Sequence, residues 1–130
     1  TIPIRIGTRR PDDSLWMVTL WYRYRDGVFE CATGADAAIA GFLEDTSAVT
    51  FDVSINKPPY RGIRGNGTAS LSPDEDKTLL RTLIERYLGT TESPLAQELL
   101  SGEREEVQIR IDPDELYSWD FTDRMQGTVD

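Results

Sequence analysis

The residues of this sequence that are best suited to chemistry are aromatic side chains and arginines. They are Trp16, Trp21, Tyr22, Tyr60, Arg61, Arg64, Tyr117 and Trp119. Large planar rings beside fixed cations fit an extended aromatic cofactor that carries a phosphate, because such a cofactor supplies the reactivity and the protein orients it. Core packing is the alternative explanation for Trp21 and Trp119. The set therefore favours a binding site for a flat anionic ligand.

Other chemistries lack the residues that they need. The sequence has no histidine and one cysteine, Cys31, so neither a Ser-His-Asp nor a Cys-His arrangement can form, and we expect no metal site. A glycine-rich phosphate-binding loop lies between a strand and the start of a helix. Gly62, Gly65 and Gly67 fall within a predicted strand instead, so they do not form such a loop. Paired carboxylates are expected on the solvated surface of so acidic a chain.

The composition indicates one acidic domain. A chain of 130 residues can bury a single core, and no run approaches the ~20 apolar residues of a membrane span. The net charge of -9 argues against a nucleic-acid partner, because phosphates would be repelled. Only Lys57 and Lys77 are lysines, and this acid-rich, lysine-poor balance predicts a halophilic source, in which salt screens the surface. We expect a cytoplasmic protein without membrane attachment.

The hydrophobic pattern predicts about seven strands and three helices. Alternation predicts strands over 2–8, 15–25, 28–33, 48–55, a glycine-rich run up to about 71, 107–111 and 116–121. Asp26-Gly27 indicates a hairpin, and Asp112-Pro113-Asp114 indicates a turn. Helical spacing predicts helices over 35–45, from a capping box at Ser72-Pro73-Asp74-Glu75 to Leu88, and from Ser93-Pro94 to Leu100. These elements predict a mainly β fold with inserted helices (α+β), either a barrel or a sandwich.

The glycine-rich strand follows Pro58-Pro59 and is the centre of the prediction. Ile63, Gly65, Gly67, Ala69 and Leu71 point to one face, and the polar residues between them point to the other. Alternate glycines indicate a bulge, a corner, or a backbone or ligand lying close against that face. A flat surface beside guanidinium groups would suit a planar anionic ligand, whereas the alternative is that the glycines let a barrel strand bend.

Four segments in this order resemble the pyridoxamine 5'-phosphate oxidase-like FMN-binding split β-barrel family. They are Val18-Thr19-Leu20-Trp21-Tyr22-Arg23-Tyr24 with Asp26-Gly27, Ala32-Thr33-Gly34, Pro59-Tyr60-Arg61-Gly62-Ile63-Arg64-Gly65-Asn66-Gly67, and Tyr117-Ser118-Trp119-Asp120-Phe121. The resemblance implies one flavin-reductase-like split β-barrel domain over residues 1–130. It also implies a homodimer with two cofactor sites in the clefts between subunits. These sites would hold FMN or, in a related branch, a deazaflavin of the coenzyme F-420 type.

The resemblance also implies which residues contact the cofactor. The strand from Val18 to Trp21 would line the flavin ring, and Thr33 with the start of the next helix would approach the phosphate. The remaining contacts would come from the proline-bounded strand and the last strand. The full set is Val18, Thr19, Trp21, Thr33, Tyr60, Arg61, Arg64 and Trp119.

The chain departs from the family where many members carry a Ser-Arg-Lys run that binds the flavin phosphate. This sequence has Ala37-Ala38-Ile39 instead, and the missing groups would each contribute about 1.5 to 3 kcal/mol as charge-assisted hydrogen bonds.

Three hypotheses for the function follow. The first is an FMN oxidoreductase that transfers a hydride to or from a small-molecule substrate. The second is a binding or structural dimer without cofactor. The third is a deazaflavin-dependent reductase whose groove includes Arg9, Arg10 and Arg61.

Overall fold

The computed structural model describes residues 2–102 and 104–120, and in this part of the chain seven antiparallel strands curl into a split β-barrel with three α-helices. The predicted fold class is confirmed. The strands are β1 (Ile4–Arg9), β2 (Leu15–Leu20), β3 (Tyr22–Arg25), β4 (Val28–Gly34), β5 (Ala48–Ser54), β6 (Arg61–Pro73) and β7 (Glu106–Asp120). The helices are α1 (Ala38–Asp45), α2 (Thr78–Leu88) and α3 (Pro94–Leu99).

The strand order is β2-β1-β5-β6-β7-β4-β3, so the two edge strands are neighbours in the sequence. Only Trp21 separates them. The prediction of one strand over 15–25 is therefore wrong in detail, because the segment pairs with β1 before Trp21 and with β4 after it. One bent segment thus supplies both edges of the curled sheet.

The predicted turn at Asp112-Pro113-Asp114 is also wrong, since β7 continues through it. A shift in register between Asn66 and Gly67 of β6 takes up one extra residue of β7 at this point. Proline has no N–H and is tolerated in a sheet where the ladder is interrupted in this way. Phe121, the last residue of the predicted final strand, lies outside the described residues.

The glycines of β6 allow the strands to approach each other closely. A Cβ on Gly65 would lie 2.0 Å from the carbonyl oxygen of Glu115, and a Cβ on Gly67 would lie 2.7 Å from that of Asp112. Contacts this short are impossible for a real side chain. The predicted bulge and close backbone approach are confirmed, because the register shifts between Asn66 and Gly67 and the β7 backbone lies beside both glycines. The hypothesis of a ligand against Gly65 and Gly67 is wrong, because the β7 backbone and the side chains of Phe51 and Ile111 occupy that space.

The inner face of the barrel forms the main core. Its buried residues are Ile4, Ile6, Phe29, Cys31, Ile39, Leu43, Val49, Phe51, Val53, Ala69, Ile109 and Ile111. Burial raises the pKa of the Cys31 thiol to about 12, so this thiol stays protonated in the folded protein. The barrel interior is therefore filled by side chains of the chain itself.

The start of α2 differs from the predicted capping box. Pro73 ends β6, and a 3₁₀ turn over Glu75–Lys77 precedes the helix. The buried carboxylate of Asp74 accepts hydrogen bonds from the backbone N–H groups of Leu79 and Leu80, both at 2.9 Å. Asp74 thus satisfies the free amides that the sequence pattern assigned to Ser72. The predicted end at Leu88 is confirmed, and Gly89, with φ +78°, follows it as the C-cap.

Helix α2 packs against β4. The Tyr87 hydroxyl donates to the carbonyl of Ile2 at 2.9 Å and accepts from the backbone N–H of Tyr22 at 3.2 Å. The Tyr87 ring stacks on Trp21, with ring centroids 5.3 Å apart. Within the described ranges, no helix combines the length and hydrophobicity needed to cross a membrane.

Candidate functional site

The outer face of the sheet carries a row of five side chains from five neighbouring strands, which we call the outer row. Each residue lies directly opposite the next, in the order Thr19, Arg5, Asp52, Arg64 and Tyr117. Directly opposite residues in antiparallel strands project from the same face. Their neighbours along the strands, such as Ile6 and Phe51, are buried on the inner face. Register therefore brings together residues that are far apart in the sequence.

Charges alternate along the outer row. Arg5 Nη1 lies 4.0 Å from Asp52 Oδ1, and the Ser54 hydroxyl donates to the same Asp52 oxygen at 2.6 Å. The guanidinium carbon of Arg64 lies 5.1 Å from the ring centroid of Trp119. This separation is within the range of a cation–π interaction. A planar aromatic surface and a fixed cation are thus adjacent at this end of β6.

A cavity of about 600 Å³ opens beside this pair. Its lining residues are Ile2, Val53, Ser54, Ile55, Arg61, Gly62, Ile63, Ser118, Trp119 and Asp120. Its volume lies within the range of small-molecule and cofactor sites. Tyr60, which is 39% exposed, directly precedes Arg61. Four predicted contact residues, Tyr60, Arg61, Arg64 and Trp119, therefore lie at one end of the β6–β7 pair.

The other predicted contact residues are placed elsewhere. Thr19 is exposed in the outer row, three strand spacings or about 14 Å from Arg64. Val18 points inward and packs against the main core. Trp21 stacks on Tyr87, as the core-packing alternative expects. Thr33 is buried at the far end of β4.

Thr33 and Arg61 lie at opposite ends of the barrel within one chain. Thr33 pairs with Val107, which pairs in turn with Pro73 at the end of β6, whereas Arg61 begins that 13-residue strand. An extended strand of this length spans about 40 Å. One cofactor cannot contact both residues of the same chain.

The start of α1, where the family resemblance implies a phosphate, has Arg104 held beside acidic groups. A Cβ built on Gly34 would lie 3.1 Å from both Arg104 Nε and Asp36 Oδ1. Arg104 Nε also lies 2.8 Å from Oε1 of Glu106, outside the alignment of a hydrogen bond. Burial raises the pKa of the Glu106 carboxyl, and Arg104 and Lys77 partly oppose that rise. Ala37 caps the helix without a side-chain hydrogen bond.

The donor groups near Thr33 therefore do not fit a phosphate, since Arg104 is already beside two carboxylates. Those at the start of β6 do fit a planar anionic group, because Arg61 and Trp119 line an open cavity and Arg64 lies over the Trp119 ring. In the part of the chain that the structure describes, no group of three or more His, Cys, Asp or Glu side chains is arranged to hold a metal ion.

Arg9 and Arg10 are not next to Arg61. Arg9 pairs with Leu15 at the opposite end of β1 and lies 3.6 Å from Asp13. Arg10 donates to Ser14 at 2.7 Å and lies 5.5 Å from the Trp16 ring centroid. Arg9 and Trp16 line a second outer-face cavity of about 670 Å³. A groove formed by Arg9, Arg10 and Arg61 is therefore absent within the described residues of one chain.

Sequence reasoning missed two members of the outer row, Arg5 and Asp52. Both alternate with buried residues, which was enough to place them on the outer face. Their approach to Arg64 depends on the pairing of β1 with β5 and of β5 with β6. A single sequence contains no local signal for that register.

Comparison with known proteins supports the fold. No protein-family model matches the sequence, and no curated protein matches it. An F420 reductase superposes with a TM-score of 0.74 at 20% identity, covering 89% of each chain. An FAD-binding protein from Mesorhizobium loti gives 0.64 at 15% identity, covering 91% of this chain and 85% of the other. A candidate pyridoxamine 5'-phosphate oxidase from Listeria innocua gives 0.64 at 13% identity, with coverages of 90% and 86%. The structural neighbours are split-barrel proteins of the pyridoxamine 5'-phosphate oxidase-like fold.

Proposed function

We propose that the protein is a flavin-binding oxidoreductase that transfers a hydride between bound FMN and a small-molecule substrate. The observation that carries this proposal is an open cavity on a split-barrel fold, lined by Arg61 and Trp119, with Arg64 placed over the Trp119 ring. When bound, the flavin supplies the hydride chemistry at its ring. The chain supplies binding and orientation: Trp119 offers a planar surface and the two arginines offer hydrogen-bond donors for an anionic group.

A binding titration tests this proposal directly. The protein is purified at high salt, its visible spectrum is recorded, and the apo protein is titrated with FMN and with a deazaflavin of the coenzyme F-420 type. We expect flavin absorption or saturable binding. Replacement of Arg61 by Ala should weaken binding by about tenfold or more, because a charge-assisted hydrogen bond is lost, with little change in melting temperature. A colourless protein that binds neither cofactor contradicts the proposal.

We propose further that the working unit is a homodimer. Thr33 and Arg61 can contact one cofactor only if they come from two chains, since they lie at opposite ends of β6. The outer face also exposes large apolar side chains at Leu15, Met17 and Tyr117, with Met17 66% exposed. A second chain covering this face would remove them from water.

Sedimentation equilibrium tests the dimer. We expect twice the monomer mass, and Met17→Glu should shift the equilibrium toward monomer because it places a charge in the covered face. Thr82→Glu on α2 is the matched control. A wild-type protein that stays monomeric at all concentrations excludes this arrangement.

One observation favours a deazaflavin over FMN as the cofactor. The superposition with the F420 reductase covers 89% of each chain and has a TM-score of 0.74. The titration above separates the two cofactors, since tighter binding of the deazaflavin assigns the protein to this second function.

Another observation favours a binding or structural dimer without cofactor. The start of α1 has no cation of its own at Ala37-Ala38-Ile39, and the nearby Arg104 is already beside the carboxylates of Asp36 and Glu106. This alternative predicts a stable dimer that binds neither flavin nor deazaflavin.

A further inference from the structure

Arg5 brings a second cation into the outer row. It lies opposite Asp52, and Asp52 lies opposite Arg64, so the two arginines flank one carboxylate on the same face. Their backbones are two strand spacings apart, or about 10 Å. Long, flexible side chains at this separation can converge on one group above the sheet.

The guanidinium of Arg5 has donors available for a ligand. Its side chain is one-third exposed, and its one ion pair among the described residues is the 4.0 Å contact with Asp52. A guanidinium carries five N–H donors in a planar fork, so a single contact at this distance leaves most of them unused. Asp52 also accepts from Ser54, which fixes the carboxylate that Arg5 faces.

The local charge at this position differs from that at the start of α1. Two guanidinium groups and one carboxylate occupy the middle of the outer row, whereas Asp36 and Glu106 surround Arg104 at α1. In a chain with a net charge of -9, an anion is attracted to the few places where positive charge is in local excess.

We propose that Arg5 is a third cation of the site, beside Arg61 and Arg64, and that it binds the anionic group of the cofactor together with Arg64. Arg5 would thereby replace the cations that Ala37-Ala38-Ile39 lacks. This inference rests on the proposed function, because it assigns a residue to the same cofactor.

The test compares FMN with riboflavin, which has the same ring but no phosphate. Kd values for both are measured by flavin fluorescence at fixed salt for the wild type, Arg5→Gln and Arg81→Gln, the last being an exposed arginine of α2. We expect Arg5→Gln to weaken FMN binding about tenfold and to leave riboflavin binding unchanged. Arg81→Gln should change neither. The melting temperature of Arg5→Gln should stay close to that of the wild type, since exposed ion pairs contribute little to stability.

Two results overturn the inference, and they are distinguishable. If wild type binds FMN and Arg5→Gln keeps the same preference for FMN over riboflavin, Arg5 has no role and the proposed function stands. If wild type binds neither FMN nor the deazaflavin, both fall. If the protein prefers the deazaflavin, the same comparison uses that cofactor and its ring without the anionic tail. Should Arg5→Gln fail to fold, Arg5→Met retains the aliphatic stem and is judged by the same criterion.

Discussion

The two faces of β6 share one backbone and have opposite properties. On the inner face, Gly65 and Gly67 lie so close to β7 that no side chain fits. On the outer face, Arg64 and Asn66 alternate with them and are exposed. The residues that permit the fold and those available to a ligand are therefore one position apart. A ligand site and a close approach of two paired strands can give the same alternation of glycine and polar residues in a sequence.

The largest expected effect comes from placing a methyl group on the inner face. Gly65→Ala puts a Cβ 2.0 Å from the Glu115 carbonyl oxygen, so β7 must move away. We expect a loss of about 3 kcal/mol or more in the free energy of unfolding, measured by urea denaturation.

Two controls accompany that substitution. Asn66→Ala changes the neighbouring exposed position and should alter stability by less than about 0.5 kcal/mol. Gly41→Ala in α1, where no atom lies within 4 Å of the added Cβ, should stabilise the protein by about 0.5 to 1 kcal/mol. If Gly65→Ala is as stable as Asn66→Ala, the inner face is not closed as described.

A smaller change in the free energy of unfolding is expected from added salt, which screens surface charges and does not alter the packed interior. The 23 acidic residues exceed the 14 basic ones and repel each other in dilute buffer. Molar potassium chloride should raise the free energy of unfolding by at least about 1 kcal/mol, equivalent to about 4 °C in melting temperature. A melting temperature that is the same in dilute buffer and molar salt would contradict the halophilic interpretation.

The smallest effect is expected at Glu106, a carboxyl group that is buried at the opposite end of the barrel from Arg61. Burial raises its pKa above that of the unfolded chain, so the folded state binds the proton more tightly. The free energy of unfolding therefore falls as the pH rises from the unfolded pKa through the folded one. Glu106→Gln removes this loss and should stabilise the protein at pH 8 relative to wild type, with the difference shrinking toward pH 4.

Glu105→Gln is the matched control for that experiment, since Glu105 is adjacent in sequence and exposed. Its melting temperature should follow the wild type across the same range. A Glu106→Gln difference that is equal at pH 4 and pH 8 would show that the carboxyl does not titrate differently in the folded state.

Much of the fold could be predicted from local patterns. Alternation identified the strands, and the stripe of Leu79, Leu80, Leu83 and Ile84 identified the buried face of α2. The errors occur where distant partners decide the structure. The segment 15–25 bends at Trp21 because it has two different partner strands, and Asp112-Pro113-Asp114 stays extended because β6 continues beside it.

The candidate site was less accessible to sequence reasoning. Tyr60, Arg61 and Arg64 are close in the sequence, so their position at one end of β6 follows from the strand alone. Arg5 and Asp52 join them only through strand register, which is fixed by the packing of the whole barrel. The assignment of Val18, Thr19, Trp21 and Thr33 to one cofactor with them remains a prediction that depends on a second chain.

The hydroxyl of Tyr87 has a consequence for motion. It bonds the residue that precedes β1 and the first residue of β3, so one oxygen atom joins the start of the β1 segment to the bend after β2. The segment before β1 cannot separate from this bend unless the pair of bonds breaks. Local opening at this bend is therefore expected to appear as amide hydrogen exchange at Tyr22 that Tyr87→Phe accelerates.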